Sequence, residues 1–377
     1  MVSDCWDPVP RTGKAAWLPG PTMAVCLLGA SLFGHHKPGL SIRGLKLGAR
    51  VEDAAVMADW WMKRGRVALT GTLRILMAVA GVASARAVEL PEGPGLAAAY
   101  PGDAGIADHG DVIFADGFES GDLKLWDEDQ TGGDGERLEV SSDESARFHG
   151  NYGVRMSATR GKNTGAGLIK WLDKGEEEIF LRFYVRFAPD AGYVHHFVHV
   201  NGSTDRWGSF GKAGLRPNGT DFFTTGIEPW FDWGNNPPPG KWNFYSYWPD
   251  MKASRDGKFW GNSFHPEAPA IPRDQWICME IRVRMNTPGG KDGEQSVWQD
   301  GKLIGDFKGI RWRDTEKLKA NVIWLMNYVT EKSYVYSERH APGHGMEFNP
   351  NSHTVWFDQI VVARTYIGPM NPGKVDE

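Results

Sequence analysis

The chain has 377 residues, 41% of them hydrophobic, with 47 Gly, 23 Pro and 17 Trp. That is enough for one large domain with additions, in the turn-rich composition of an all-β protein. A formal net charge of −5 excludes any overall attraction to nucleic acid or to an anionic membrane surface. Of Cys5, Cys26 and Cys278, only the last falls in the part expected to fold, so no internal disulfide is expected there.

Residues 1–61 show no sustained period and are expected to be disordered or a spurious upstream extension. Residues 62–87 have the layout of a secretory signal peptide: a basic start at Lys63, Arg64 and Arg66, an apolar run over 75–83, then the small-x-small pattern Ala83-Ser84-Ala85. Arg74 sits at the edge of that run, where an amphipathic helix or a lipid anchor would also accommodate it. The run is too short to span a bilayer comfortably, so the mature chain is not expected to stay inserted in a membrane. A secreted or periplasmic bacterial protein, monomeric, follows as the expectation. Residues 88–111, rich in Pro, Gly and Ala, have linker composition.

From Val112 to about residue 370 strand signals recur between turn residues. Stretches 112–119 and 152–156 come first. In 179–187, Ile179, Leu181, Phe183, Val185 and Phe187 share one face, and Phe180, Arg182, Tyr184 and Arg186 the other. In 194–201, Val194, Val198 and Val200 suit a core, with His196 the exception, while His195, Phe197, His199 and Asn201 point oppositely. Stretch 222–230 follows. Stretch 242–248, Trp-Asn-Phe-Tyr-Ser-Tyr-Trp, sends Trp242, Phe244, Ser246 and Trp248 one way and Asn243, Tyr245 and Tyr247 the other.

Stretch 276–286 alternates most cleanly, with Cys278, Glu280, Arg282, Arg284 and Asn286 on its polar face. Asp300-Gly301 reads as a two-residue hairpin turn between 295–299 and 302–307. Stretches 321–329 and 354–363 close the series, and one helical turn is expected over 314–319. Many alternating strands with short connections indicate a β-sandwich of jelly-roll type, one face of one sheet forming an open groove.

The off-core residues Arg182, Tyr184, Arg186, His195, His199, Asn201, Asn243, Tyr245, Tyr247, Glu280, Arg282, Arg284 and Asn286 would furnish that groove. A basic and phenolic set suits an extended acidic polysaccharide, since Arg forks pair with carboxylates and aromatic faces suit sugar rings. It also suits β-elimination from a uronate: one group neutralises the carboxylate, a base takes the neighbouring proton, and an acid protonates the leaving oxygen. No metal or organic cofactor is required. Solvated cross-strand pairing explains the same Arg and Glu residues as mere surface, and a lone His is most often structural.

Hydrolysis of glycosides would need two facing carboxylates. The strand motif Glu-x-Asp-x-x-Glu is absent, and Glu228 and Asp232 beside Pro229 read as a loop. His340-Ala-Pro-Gly-His344 lacks a second ligand cluster for a metal. Asp116 or Glu119 meeting Asp358 is a place for a structural calcium, or for plain hydrogen-bonded carboxylates.

Asp116-Gly-Phe-Glu-Ser-Gly121, Phe183-Tyr-Val-Arg-Phe187, Tyr245-Ser-Tyr247, Trp276 with 280–286, Asp300-Gly301, Trp356-Phe-Asp358 and Tyr366-Ile-Gly368 resemble the concanavalin-A-like jelly rolls. Within them the chain is similar to polysaccharide lyase families fourteen and twenty, the alginate-lyase and glucuronan-lyase type. The resemblance implies that Tyr245 and Tyr247 match the paired tyrosines used for proton transfer. It places His199 where those lyases have a substrate-contacting Lys. Their Ser-x-Arg pair has no counterpart in 224–229, Thr-Thr-Gly-Ile-Glu-Pro. Arg182, Arg186, Lys212 or Arg216 would then have to hold the carboxylate. The expected function is a secreted polysaccharide lyase with Tyr247, Tyr245, His199 and Arg186 catalytic. A non-catalytic glycan-binding jelly roll is the alternative, and a glycoside hydrolase a more distant one.

Overall fold

The computed structural model describes residues 89–131 and 135–373. The segments 1–61 and 62–87, expected to be disordered and a signal peptide, lie outside the described residues. Period-two alternation resolves into two antiparallel sheets. The first runs β13 (Lys302–Ile310), β12 (Gly293–Gln299), β11 (Trp276–Arg284), β6 (Glu178–Phe187), β15 (Ser352–Ala363), β4 (Gly153–Thr159), β3 (Leu138–Ser141), with β1 (Val112–Asp116) also paired to β15. The second runs β10 (Asn262–Phe264), β9 (Lys241–Tyr247), β8 (Phe222–Trp230), β7 (His196–Ser203), β14 (Ala320–Tyr328), β5 (Gly165–Glu176), β2 (Glu128–Asp129).

The apolar faces meet as one core. Phe183, Val185 and Phe187 of β6 and Met279 and Ile281 of β11 pack with Phe197, Trp242, Phe244 and Leu325 of the second sheet, all essentially inaccessible. Phe197 bridges the layers, its ring centroid 5.3 Å from Phe187 and 5.2 Å from Phe357. Each such side chain contributes about 1.5–3 kcal/mol through burial. This is a β-sandwich jelly roll, as the alternation predicts.

The outer face of the first sheet is not a groove. Residues 89–111, expected to be a linker, form short 3-10 turns packed on it, and residues 364–373 run beside them. The Trp298 Nε1–H donates to Pro91 O at 2.8 Å, and Gly93 N–H to Gly301 O at 2.8 Å. Low complexity disguised this stretch, whose contacts are largely backbone-made.

Six expected groove residues therefore belong to this outer face of the first sheet, four of them buried. Arg182 is fully buried and paired with Asp103, Nη1 to Oδ1 3.2 Å, with a second contact from Nη2 to Oδ2. Tyr184 Oη accepts from Met370 N–H at 2.9 Å. Glu280 accepts from the Ile367 and Gly368 N–H groups, both at 2.8 Å. Arg186 pairs with Asp274 and lies over Trp356. Arg282 pairs with Glu178 and Glu294, and Arg284 with Glu294. Sequence parity puts these residues off the core but does not say which sheet they join.

The one α-helix among the described residues, α1 (Glu331–His340), opens with a Thr330/Ser333 capping box. The helical turn expected over 314–319 is irregular chain instead. The carboxylates weighed as calcium ligands are engaged by N–H donors: Asp116 by Phe118 N and Trp126 Nε1, Asp358 by Phe148 N and His149 N, Glu119 by Asn151 N and Tyr152 N.

Candidate active site

On the outer face of the second sheet, β9 keeps the expected parity. Trp242 and Phe244 enter the core while Asn243, Tyr245 and Tyr247 face out. Pairing with β8 sets Tyr247 opposite Thr224, Tyr245 opposite Gly226 and Asn243 opposite Glu228. Pairing of β8 with β7 sets His199 opposite Gly226 and Asn201 opposite Thr224. One row across the sheet thus reads Trp324, His199, Gly226, Tyr245.

Gly226 is the gap in that row. A Cβ there would lie 2.1 Å from Cδ2 and 2.3 Å from Nε2 of His199, so only glycine lets the imidazole lie over the strand. Gly261 does the same for Tyr245, whose ring a Cβ would meet at 2.4 Å. Gly226→Ala is expected to displace His199, break its contact to Glu228 and cost about 1–3 kcal/mol from overpacking. Thermal denaturation with NMR titration of the His199 ring would detect it; a wild-type melting curve and titration would mean the ring has room that this packing denies.

Strand β7 departs from parity. Phe197 and Val198 both enter the core, at a register shift between β7 and β14. His196 therefore turns to the same outer face as His199, three residues on, which a regular strand would forbid. His196 Nδ1 lies 2.6 Å and His199 Nε2 2.9 Å from the same oxygen, Glu228 Oε1. Expectation had His195 in this place. His195 is exposed beside the cluster, its ring centroid 4.3 Å from His196 and 5.4 Å from Tyr328.

Glu228 is the residue that sequence reasoning missed. Pro229 made the stretch look like a loop, yet β8 continues through it. The pairing with β7 ends at Ile227, so Pro229 has only β9 beside it and its missing N–H leaves no broken ladder.

Burial dominates the electrostatics. It pushes the Glu228 carboxyl up to about 7 even though the His199 contact opposes this. It also holds both His196 and His199 below the ordinary imidazole range. Burial, then the neighbouring Tyr247, raises the Tyr245 phenol well above its ordinary value, so it stays protonated. The Tyr245 and Tyr247 hydroxyls are 3.5 Å apart, and the Tyr245 and His196 ring centroids 5.5 Å. Asn201 bears on His199 closely enough to favour its protonated form. Its amide is buried, and neither Oδ1 nor Nδ2 reaches hydrogen-bond geometry.

Residues on the loops beyond the strands widen the face. Lys212 lies over Phe222 at 5.4 Å and Arg216 over Phe259 at 5.1 Å, where the loop after β7 bridges to that after β9 through Gly214 and Phe259. These are the two expected cations on this side. On the β5 and β14 flank, Trp171, Trp207, Phe210 and Trp324 pack ring against ring, with Trp207 42% exposed. Such faces suit sugar rings.

Residues 239–337 match the family model described as polysaccharide lyase 14. The chain thus contains a segment similar to that family's model. That segment spans about a quarter of the chain and includes Asn243, Tyr245 and Tyr247, while His196, His199 and Glu228 precede it. Among curated proteins none matches the chain by sequence. Solved structures similar to this chain include the marine PL-14 alginate lyase from Aplysia kurodai, 15% identical over 67% of this chain and 99% of that one, TM-score 0.49. An alginate lyase from Chlorella virus is 18% identical over 68% and 100%, TM-score 0.44. An endo-β-1,4-glucuronan lyase from the fungus Trichoderma reesei is 14% identical over 70% and 100%, TM-score 0.41.

Proposed function

We propose that the protein cleaves a uronic-acid-containing polysaccharide by β-elimination, as an exported monomer, on the outer face of the second sheet. The observation that carries this is the Tyr245–Tyr247 hydroxyl pair, 3.5 Å apart within the lyase segment and beside the His196–His199–Glu228 cluster. Tyr247, entering the step as its phenolate, takes the proton from the carbon next to the uronate carboxylate and becomes the neutral phenol. The electron pair forms the new carbon–carbon double bond as the glycosidic oxygen departs. Tyr245 gives that oxygen its proton, and the proton returns from Tyr247 to Tyr245 across the 3.5 Å separating their hydroxyls. The His196–His199–Glu228 cluster faces the carboxylate, whose charge must be offset for the proton to leave.

Glycoside hydrolysis fits less well. The outward positions of β7, β8 and β9 carry a single carboxylate, Glu228, where a facing pair is needed.

The test is to incubate the full chain with alginate, glucuronan, pectate and glycosaminoglycans and follow the ultraviolet band of unsaturated uronates. A rise on at least one polymer is expected. No rise on any, with retention by one in affinity electrophoresis, would convert the reading to a glycan-binding protein using the tryptophan flank.

A further inference from the structure

We propose that His196, His199 and Glu228 form a binding site for one divalent transition-metal ion of the zinc class, whose open side receives the substrate carboxylate. The second clause rests on the lyase reading; the first does not.

Two imidazole nitrogens and one carboxylate oxygen converge here, all within 4.8 Å of one another. Both nitrogens already address the same Glu228 oxygen, at 2.6 and 2.9 Å. Around a metal with bonds of about 2.0–2.2 Å, tetrahedral ligand atoms stand about 3.4 Å apart. A withdrawal of the carboxylate by less than about 1 Å would open that space. Two imidazoles with a carboxylate are a donor set that zinc accepts in open, three-ligand sites, and one that cobalt accepts as a substitute.

Two backbone features serve this convergence. The break in alternation at Phe197 and Val198 turns His196 to the face of His199. Gly226 removes the side chain that would otherwise part His199 from Glu228. Asn201, the next outward position to His199, keeps a buried amide with no hydrogen-bond partner, an unsatisfied polar group beside the cluster. The cluster has one accessible side: the His196 side chain is 27% exposed, those of His199 and Glu228 8% each.

Charge gives the site a purpose. Two neutral imidazoles sum to −1 with an ionised Glu228 and to zero with a protonated one, and neither offsets a uronate; a divalent ion on the ionised set makes the sum +1. The outward strand positions of β7, β8 and β14 carry no Lys or Arg, and β9 has only Lys241 at its start. Arg182 and Arg186 are on the other sheet, and Lys212 and Arg216, on the loop after β7, lie over Phe222 and Phe259, outside the cluster. Lys332 of α1 bears on the neighbouring His195. A bound cation supplies the neutralising charge that the missing Ser-x-Arg pair would otherwise bring.

The full chain, stripped with chelator, would be titrated with Zn²⁺ by calorimetry and with Co²⁺ by visible absorption. One equivalent per chain and a low-symmetry, four-coordinate Co²⁺ spectrum are expected. His196→Ala and His199→Ala should each weaken binding by more than the roughly 10–100-fold that loss of an outer partner brings. The double variant His340→Ala, His344→Ala should bind as wild type does. Circular dichroism of each metal-free variant separates lost ligands from lost fold, and Glu228→Gln, nearly isosteric, serves if an alanine variant fails to fold. No binding by the wild type, or binding that survives all three cluster substitutions, overturns the site. Metal bound as described with no product from any polymer upholds the site and removes the lyase reading. Elimination indifferent to chelator in a protein that binds no metal removes the site and leaves that reading standing.

Discussion

Tyr247→Phe and Tyr245→Phe should each lower the rate of unsaturated-uronate formation by roughly 10²–10⁴-fold, the range for removing a positioned acid or base. Each substitution deletes one oxygen and keeps the ring. The edge-on contact of the two rings, 5.6 Å between centroids, survives either change. The stability cost is that of one hydrogen bond, about 0.5–1.5 kcal/mol, so activity falls in a protein that still folds. Initial rates alongside a thermal melt make the measurement. Near-wild-type rates in both variants would move proton transfer off β9.

Arg182→Met should produce the reverse pattern. Removing one partner of a buried pair leaves the other charge uncompensated and costs about 3–5 kcal/mol. Asp103, itself part of the 89–111 strap and 9% exposed, would be that stranded charge. Adding Asp103→Leu should restore most of the loss, because a buried pair and its apolar replacement are often equivalent. Turnover by the folded fraction, measured well below the melting temperature, should stay at wild type, since β6 is in the sheet opposite the site. A large fall in turnover with unchanged melting would return Arg182 to the catalytic group.

The legible part of the fold was its alternation. Strands β6, β9 and β11 each send apolar residues to one side, and each occupies a core face as parity dictates. Strand β5, buried over much of its length and opening Gly-Ala-Gly, offers no period to read. Helix α1 is short and mixed in sequence, and it begins from a cap rather than an apolar stripe. Within the site, Tyr245, Tyr247, His199, Asn201 and Asn243 were legible because they obey parity on strands that do pair. His196 and Glu228 were not. One depends on a register shift that only the neighbouring strand imposes, and the other sits before a proline tolerated because β7 stops short of it. Arg182, Arg186, Glu280, Arg282 and Arg284 show the limit of the method: parity gives the face of a strand, never the sheet that the strand enters.

The clasp of residues 89–111 and 364–373 over the first sheet bears on how the protein can vary. What ties the chain shut and the proposed substrate face are on opposite walls. Proteolytic nicking or trimming inside 89–111 would loosen the sandwich while leaving the row of His199, Gly226 and Tyr245 chemically intact. The loops bordering that row, free of any closing duty, are where lineages could diverge in the polymer they accept without putting folding at risk.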